Sequence, residues 1–353
     1  MVQICSSVPS AITKIISGIG GGNMETIMNL VSVWKKIAHR DLPNPFYSRE
    51  WASSRNQAVI AGRILSRIND FPFGRIENGI DIGIEAVEGI FRLLKFTDQT
   101  QFKRTMLAIF DQNWISADNT YKLLQLIKQA DNELSSSHLQ EGLKTLFVSM
   151  IDSRSLKGGW YQLDFMKKIG FDQIQDLEVR VTSGRRGVDI ISKSIHPEAK
   201  FFELKSGEAF SVGEITYKQM IRHMTQPPVS DVHHGWRRFR VVINTPDDEL
   251  IERNGGRFLK ILWEKKSSTL SVDEPPQIMN NLLENLKEHL RQYDPDLNFR
   301  EFMDENKNYL NLETIPDVDN IELIIKARKF IGDRLFHKEH IPNPVVITEL
   351  GTV

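Results

Sequence analysis

The stretch AKFFELKSGEAF, residues 199–210, carries an acid and a lysine two positions apart inside an otherwise apolar run. Because side chains alternate across a strand, we expect Phe202 and Leu204 to face the core, and Glu203 and Lys205 to lie together on the opposite face. Such a pair by itself is also typical of an ordinary surface ion pair on an edge strand. The interpretation therefore depends on what the neighbouring segments bring to the same face.

A second short apolar strand, VDIIS at residues 188–192, also contains an acid, Asp189, which points away from its apolar neighbours. If this strand pairs with 200–206, Asp189 lies beside Glu203, and two carboxylates so close repel each other unless a cation lies between them. Oxygen ligands of this kind suit Mg²⁺, with Mn²⁺ as the alternative ion. The sequence thus predicts a metal-assisted site in which Lys205 orients or deprotonates an attacking water.

The elements around these two strands predict an α/β fold with a mixed sheet. Three consecutive strands favour an antiparallel meander, and a fourth strand that returns through a helix favours a parallel pairing. In chain order the predicted elements are helices at 135–150 and 160–170, strands at 177–182, 188–192 and 200–206, a helix that begins near Ser211, and a strand at 238–245.

Beyond residue 245 the pattern is less regular. The RNGGR segment, 253–257, is interpreted as a turn, and FLKILWE, 258–264, as a further strand. Two helices are predicted near 278–292 and 320–335. The predicted domains are a helical N-terminal domain (1–135), an α/β domain (136–270) and an acidic helical C-terminal extension (271–353).

Residues 137–245 resemble the PD-(D/E)xK nuclease superfamily, which has a restriction-endonuclease-like core of a helix, three strands, a helix and a strand. The resemblance is carried by GVDIIS and FFELKSG, which supply the acid of one strand and the E-x-K of the next. It implies a Mg²⁺-dependent nuclease. Asp189, Glu203 and the Leu204 carbonyl would be the metal ligands, and Lys205 would serve the attacking water.

The chain departs from the family pattern at two points. Val188 replaces a proline, and the K-G-x-x-x-E motif of the first helix becomes KGGWYQ, with Gln162 in place of the acid. Glu141 on the preceding helix is the other candidate for that acid, so the number of metal ions stays open. The resemblance also implies that Gln219, on the helix after the motif, completes the site.

The charge distribution indicates which part of the chain would hold an anionic substrate. Residues 181–240 contain 10 Lys and Arg against 6 Asp and Glu, whereas residues 271–353 contain 9 against 16. Nucleic-acid affinity requires a basic surface, so the acidic C-terminal part is not expected to contact the substrate. The likeliest phosphate contacts by this criterion are Arg185, Arg186, Lys218 and Arg222.

The N-terminal segment is apolar but does not predict a stable membrane span. Lys14, Glu25 and the glycine-rich stretch at 18–22 interrupt it, and the single cysteine, Cys5, excludes a disulfide within the chain. Two interpretations stay open: two short amphipathic helices, or a segment that touches a membrane during delivery into another cell. The expected location is the cytoplasm, either of the producing cell or of a target cell.

The expected function is a metal-dependent endonuclease that cleaves DNA as a toxin, an effector or a defence nuclease. The alternatives are a restriction-type sequence-specific endonuclease, an RNA-cleaving nuclease, and a non-catalytic relative that binds nucleic acid or a partner. A metal-bound phosphodiester site does not by itself exclude the 2′-hydroxyl of RNA. An immunity protein or a second copy of the chain is the expected protein partner.

Overall fold

The computed structural model describes residues 104–105, 108–110, 113–179, 187–193, 200–225, 236–267 and 277–345. The chain divides into two compact units, one formed by 1–167 with 343–353 and the other by 168–342. This division differs from the predicted boundaries at 135 and 270. Residues 1–103 lie outside the described residues. The predictions made for their helical structure and for their role therefore stay predictions.

Three helices of the first unit are described in full: α1 (Ala117–Glu133), α2 (Ser137–Ser149) and α3 (Ser153–Ile169), whose last two residues belong to the second unit. Apolar residues at helical spacing bury one side of each, and the Ser116 side chain caps α1 by accepting the Asn119 N–H at 3.3 Å. Gly170 follows α3 with a φ of 93° and a ψ of 124°, a backbone conformation that glycine adopts more readily than residues with a Cβ.

One acid of α3 lies in an environment that opposes its ionisation. Burial raises the pKa of Asp164 from 3.8 to about 6, although Lys167 and the side chain of Trp160 favour the ionised form. A raised carboxyl pKa means that the folded state binds its proton more tightly than the unfolded state does. Stability is therefore lost as the pH rises from 3.8 to about 6.

Asp164→Asn is expected to raise the free energy of unfolding at pH 7.5 by on the order of 1–2 kcal/mol, because the amide removes the cost of a buried charge. Urea unfolding at pH 7.5 and at pH 4 checks this, with the exposed Asp172→Asn as the control. The increase in the free energy of unfolding should be smaller at pH 4. An equal increase at both pH values would contradict the raised pKa of Asp164.

The second unit contains a mixed sheet of five strands in the order β1-β2-β3-β4-β5. The strands β1, β2 and β3 are antiparallel neighbours, and β4 and β5 continue the sheet in parallel with β3. Their bounds are β1 (Ile174–Leu177), β2 (Ile190–Ser192), β3 (Phe201–Lys205), β4 (Phe239–Ile243) and β5 (Phe336–Lys338). The predicted α/β class and mixed sheet are confirmed.

The first strand begins three residues earlier than predicted. It spans Ile174–Leu177, whereas a strand at 177–182 was predicted. Of that predicted range the structure describes only residues 177–179. Glu178 has a φ of 49°, a left-handed conformation that few side chains adopt, and it interrupts the regular strand. Pairing nevertheless continues, since the Glu178 N–H donates to the Asp189 carbonyl at 2.9 Å. The irregularity lies next to one of the two acids singled out in the sequence.

Five helices accompany the sheet: α4 (Glu214–Thr225), α5 (Glu249–Ser267), α6 (Gln277–Leu290), α7 (Phe299–Asn306) and α8 (Ile321–Leu335). One apolar core joins the sheet residues Phe201, Val241 and Ile243 to buried side chains of all five helices. Burial of this apolar surface is the main driving force for assembling the unit.

The C-terminal part is an integral component of this unit rather than an appended helical extension. Both predicted helices are found, as α6 and α8, and their buried leucines and isoleucines belong to the same core. The chain then adds β5 to the sheet, pairing Phe336 with Val241. Composition could not predict this strand, because FHK is a three-residue segment with no alternating pattern.

Two predictions made for residues 253–264 are wrong. The RNGGR segment is not a turn and FLKILWE is not a strand, because both lie inside α5, a single helix of 19 residues. The glycines are present for close packing, since a Cβ on Gly255 would lie 2.5 Å from the Gly332 nitrogen of α8 and closer still to the Arg328 carbonyl oxygen. The two helices therefore approach too closely for a side chain.

Gly255→Ala is expected to lower the free energy of unfolding by about 3 kcal/mol or more, because the clash is with backbone atoms that cannot rotate away. The matched control is Gly207→Ala, where an added Cβ meets nothing within 4 Å. Thermal or urea unfolding compares the two. Equal stability of the two variants would show that α5 and α8 do not pack as closely as described.

In the part of the chain described here, no helix has both the length and the apolar character needed to cross a membrane.

Candidate metal-binding and catalytic site

Glu203 on β3 is the centre of a buried polar cluster. Its Oε1 accepts hydrogen bonds from Lys205 Nζ and from Gln219 Nε2, each at 2.6 Å. On its other side, His223 Nδ1 lies 3.3 Å from Oε2. Residues from β3 and α4 thus converge on one carboxylate, which is only 4% exposed.

The electrostatics of Glu203 favour the ionised carboxylate. Burial acts to raise its pKa, but the contacts with His223 and Lys205 outweigh this effect and hold the pKa below its usual value. A buried acid that stays charged at neutral pH is available as a ligand for a cation.

The face that carries Glu203 is covered, which differs from the open polar face expected from the alternation of residues. Phe201 points to the same side and is fully buried in the core of the second unit. Phe202, on the opposite face, is buried as well. Alternation correctly places Glu203 and Lys205 together, but it cannot show that helix α4 lies over them.

Asp189 lies one residue before β2 and beside β3. Its N–H donates to the Phe202 carbonyl at 3.0 Å, and its Oδ2 accepts the Leu204 N–H at 2.7 Å. Burial raises the pKa of Asp189 well above its usual value, and the negative charge of Glu203 raises it further. The β2-β3 register pairs Ile190 with Phe202, which places Asp189 next to the position of Glu203 on the neighbouring strand.

Helix α4 supplies the second half of the cluster. Its apolar stripe, which includes the buried Tyr217, Met220 and Met224, faces the core as predicted. This packing directs Gln219 at Glu203. The site is thus assembled from a strand and a helix that are adjacent in the chain.

The two basic residues of α4 have different environments. Lys218 is largely exposed, and its Nζ lies 3.7 Å from Glu214 Oε1. Arg222 is partly buried, with Nη2 at 3.4 Å from His223 Nε2. Arg222 thus points towards the polar cluster rather than away from it.

Two residues of the cluster were missed by the sequence interpretation. His223 follows Gln219 by one helical turn, so the i,i+4 spacing on the face of a known site residue is the signal that identifies it. Glu178 is near enough to Asp189 for its charge to contribute to the raised pKa of that acid. The irregular backbone at Glu178 gave no signal in the sequence.

The remaining predicted site residues belong to the first unit, to β3, or to segments outside the described residues. Gln162 is buried in α3 and Glu141 is exposed on α2, both in the first unit. Glu141 makes an ion pair with Lys144 at 3.0 Å. Arg185 and Arg186 fall outside the described residues. Leu204 contributes its N–H to Asp189.

The loop that joins β3 to α4 is fixed by a buried side chain of α5. Asn254 accepts the Val212 N–H at 3.0 Å and donates to the Phe210 carbonyl at 3.2 Å. The Phe210 ring centroid lies 5.9 Å from Lys205 Nζ. Asn254 therefore positions both the loop beside the lysine and the start of the helix that carries Gln219 and His223.

The donor set fits a hard divalent cation held by few protein ligands. Within the described residues no group of three or more His, Cys, Asp or Glu side chains is arranged to hold a metal. Asp189 and Glu203 offer carboxylate oxygens; burial and then the Glu203 charge raise the pKa of Asp189, and a cation between the two acids would relieve their repulsion. Mg²⁺ commonly binds one or two protein carboxylates and completes its shell with water and phosphate oxygens.

Comparison with protein-family models found no match for this chain, and comparisons with curated proteins and with solved structures found no match either.

Proposed function

We propose that this protein is a metal-dependent nuclease of the PD-(D/E)xK type, which hydrolyses phosphodiester bonds and has DNA as its main substrate. One observation carries the proposal: Glu203 accepts hydrogen bonds from Lys205 and Gln219 at 2.6 Å each, while Asp189, one residue before the adjoining strand β2, donates its N–H to the Phe202 carbonyl of β3 at 3.0 Å. Two carboxylates and an amine on neighbouring strands of one sheet suit phosphodiester hydrolysis.

The order of elements supports the same proposal. Helix α3, strands β1 to β3, helix α4 and strand β4 follow one another as in the restriction-endonuclease-like core. The antiparallel β1-β2-β3 meander and the parallel β3-β4 pair match the expected directions. The motif residues lie at the second and third strands, where that family carries them.

Each residue has a distinct role in the proposed chemistry. Asp189 and Glu203 would hold Mg²⁺, which supplies a water of lowered pKa and neutralises charge on the phosphate. Lys205 orients the attacking water and stabilises negative charge that develops on the phosphoryl oxygens. Gln219 and His223 fix the Glu203 carboxylate, and Lys218 contacts the phosphate backbone without reading sequence.

The cluster around Glu203 contains carboxylates that a surface which only binds phosphates would not need. A module that only binds phosphates would gain nothing from Asp189 and Glu203, since both repel an anion. Their presence beside Lys205 favours a catalytic site over a passive nucleic-acid-binding relative. The biological setting, a delivered toxin or a defence nuclease, is a further part of the proposal, and either setting would place the activity in a cytoplasm.

The test is incubation of the purified chain with plasmid DNA, linear DNA and total RNA, in Mg²⁺ and in EDTA. We expect Mg²⁺-dependent nicking or cutting of DNA that EDTA abolishes. Lys205→Met should be inactive, whereas Lys193→Met, a change of an exposed lysine just after β2, should behave as wild type. Cleavage of RNA alone would change the substrate, and no cleavage by the folded wild type would overturn the proposal.

A further inference from the structure

Helix α4 presents an unusually exposed apolar side chain. Ile215, its second residue, is 85% exposed, whereas the other exposed large hydrophobic residues among those described, Tyr293, Leu312 and Ile325, are 38–47% exposed. A β-branched side chain is stiff at χ1, so it loses little rotamer freedom when it is buried by a ligand. Ile215 is therefore well suited to pack against another molecule.

The position of Ile215 relates it directly to the Glu203 cluster. Gln219, which donates to Glu203 at 2.6 Å, follows Ile215 by four residues on the same helix. Residues with this spacing lie on one side of a helix, about 6 Å apart along its axis. The exposed isoleucine thus lies one helical turn from a residue that contacts the proposed metal ligand.

The charges around Ile215 are mostly basic. Lys218 follows it by three residues, which places it on the same side of the helix, and its side chain is largely exposed. The acid in this turn, Glu214, is compensated by Lys265 Nζ at 2.8 Å and by Lys218 Nζ at 3.7 Å. These residues, Ile215 with Lys218 and Lys265, define what we call the α4 surface.

We propose that the α4 surface contacts the nucleic-acid strand that is being cleaved, with Ile215 inserted against the bases next to the scissile phosphate. This inference rests on the proposed nuclease function. Isoleucine is one of the apolar side chains that wedge between base steps, and the lysines beside it suit the phosphates on either side. A protein-docking face would require a contiguous apolar patch, whereas this surface has one apolar side chain among cations.

The test measures binding to a DNA duplex that contains 2-aminopurine, whose fluorescence rises when neighbouring bases unstack. The protein carries Lys205→Met so that no cleavage occurs, and Mg²⁺ is present. On this background, Ile215→Ala is expected to bind about tenfold more weakly, in keeping with the loss of one buried apolar side chain, and to lose most of the fluorescence rise. Ile325→Ala, the same substitution at an exposed position of α8, should change neither the affinity for DNA nor the fluorescence rise.

A second variant separates insertion from charge. Ile215→Lys adds a cation, so it should retain affinity at low salt but give no fluorescence rise. Unchanged binding and fluorescence in Ile215→Ala, or a full rise in Ile215→Lys, would overturn the inference. Failure of the proposed function is recognised separately, because the wild-type chain would then leave plasmid DNA and total RNA uncut whatever Ile215 does.

Discussion

Lys205→Met is expected to lower the rate of phosphodiester cleavage by on the order of 10³-fold, with little change in the fold. Its ammonium contacts Glu203 at 2.6 Å and is partly exposed, so a side chain of similar length can replace its packing without its charge. Glu203→Gln should be similarly inactive, because the amide keeps the shape of the carboxylate but not the charge that a cation requires.

These two substitutions are better tests than a change to alanine. Glu203 is buried among Lys205, Gln219 and His223, so Glu203→Ala would leave buried donors without their acceptor and destabilise the protein. Single-turnover rates at saturating Mg²⁺ provide the measurement, and circular dichroism verifies the fold. Activity of Lys205→Met near the wild-type rate would rule out its catalytic role.

Asp189→Asn is expected to show opposite effects on activity and on stability. Cleavage should fall by on the order of 10³-fold, because one of two charged ligands is lost. In EDTA, however, the free energy of unfolding at neutral pH should rise by about 1 kcal/mol or more, since burial and the Glu203 charge raise the pKa of Asp189. The cost of this charge is present above the raised pKa and disappears as the pH falls to the ordinary value of 3.8.

Magnesium should reverse the order of stability of the two proteins. Saturating Mg²⁺ is expected to stabilise the wild type by about 2–3 kcal/mol at a hundredfold excess over its Kd, and to stabilise Asp189→Asn much less. The matched control is Asp176→Asn on β1, whose carboxylate also accepts a backbone N–H, at 2.8 Å. Equal Mg²⁺ stabilisation of wild type and Asp189→Asn would show that Asp189 does not bind the metal.

Gln162→Ala is expected to lose less cleavage activity than Asp189→Asn.

The sequence predicted the α/β class and the mixed sheet because the relevant signals are local. Short apolar segments separated by turns, and a helix with a clear apolar stripe before the fourth strand, determine the order and the relative directions of β1 to β4. Alternation along β3 likewise placed Glu203 and Lys205 on one side. The expectation that Asp189 lies beside Glu203 depended on pairing of their two strands, and β2 and β3 are indeed antiparallel neighbours.

Residues in helix α5 show where local pattern misled the interpretation. Two adjacent glycines normally favour a turn, so RNGGR and the apolar run after it were read as a turn and a strand. In the folded chain Gly255 packs against the backbone of α8, more than seventy residues later in the sequence. A close approach of two helices is a tertiary contact, and it overrides the weak helix propensity of glycine.

What the sequence alone determined is therefore the order and directions of consecutive strands and the side of β3 that carries Glu203 and Lys205, whereas Gln219 was expected only from the family resemblance. Only the tertiary structure decided that Glu203 is covered rather than exposed, that His223 contacts it, and that β5 extends the sheet. The physical reason is that burial depends on which distant segments pack over a strand. Periodicity gives the side on which a residue lies, but it gives no information about what covers that side.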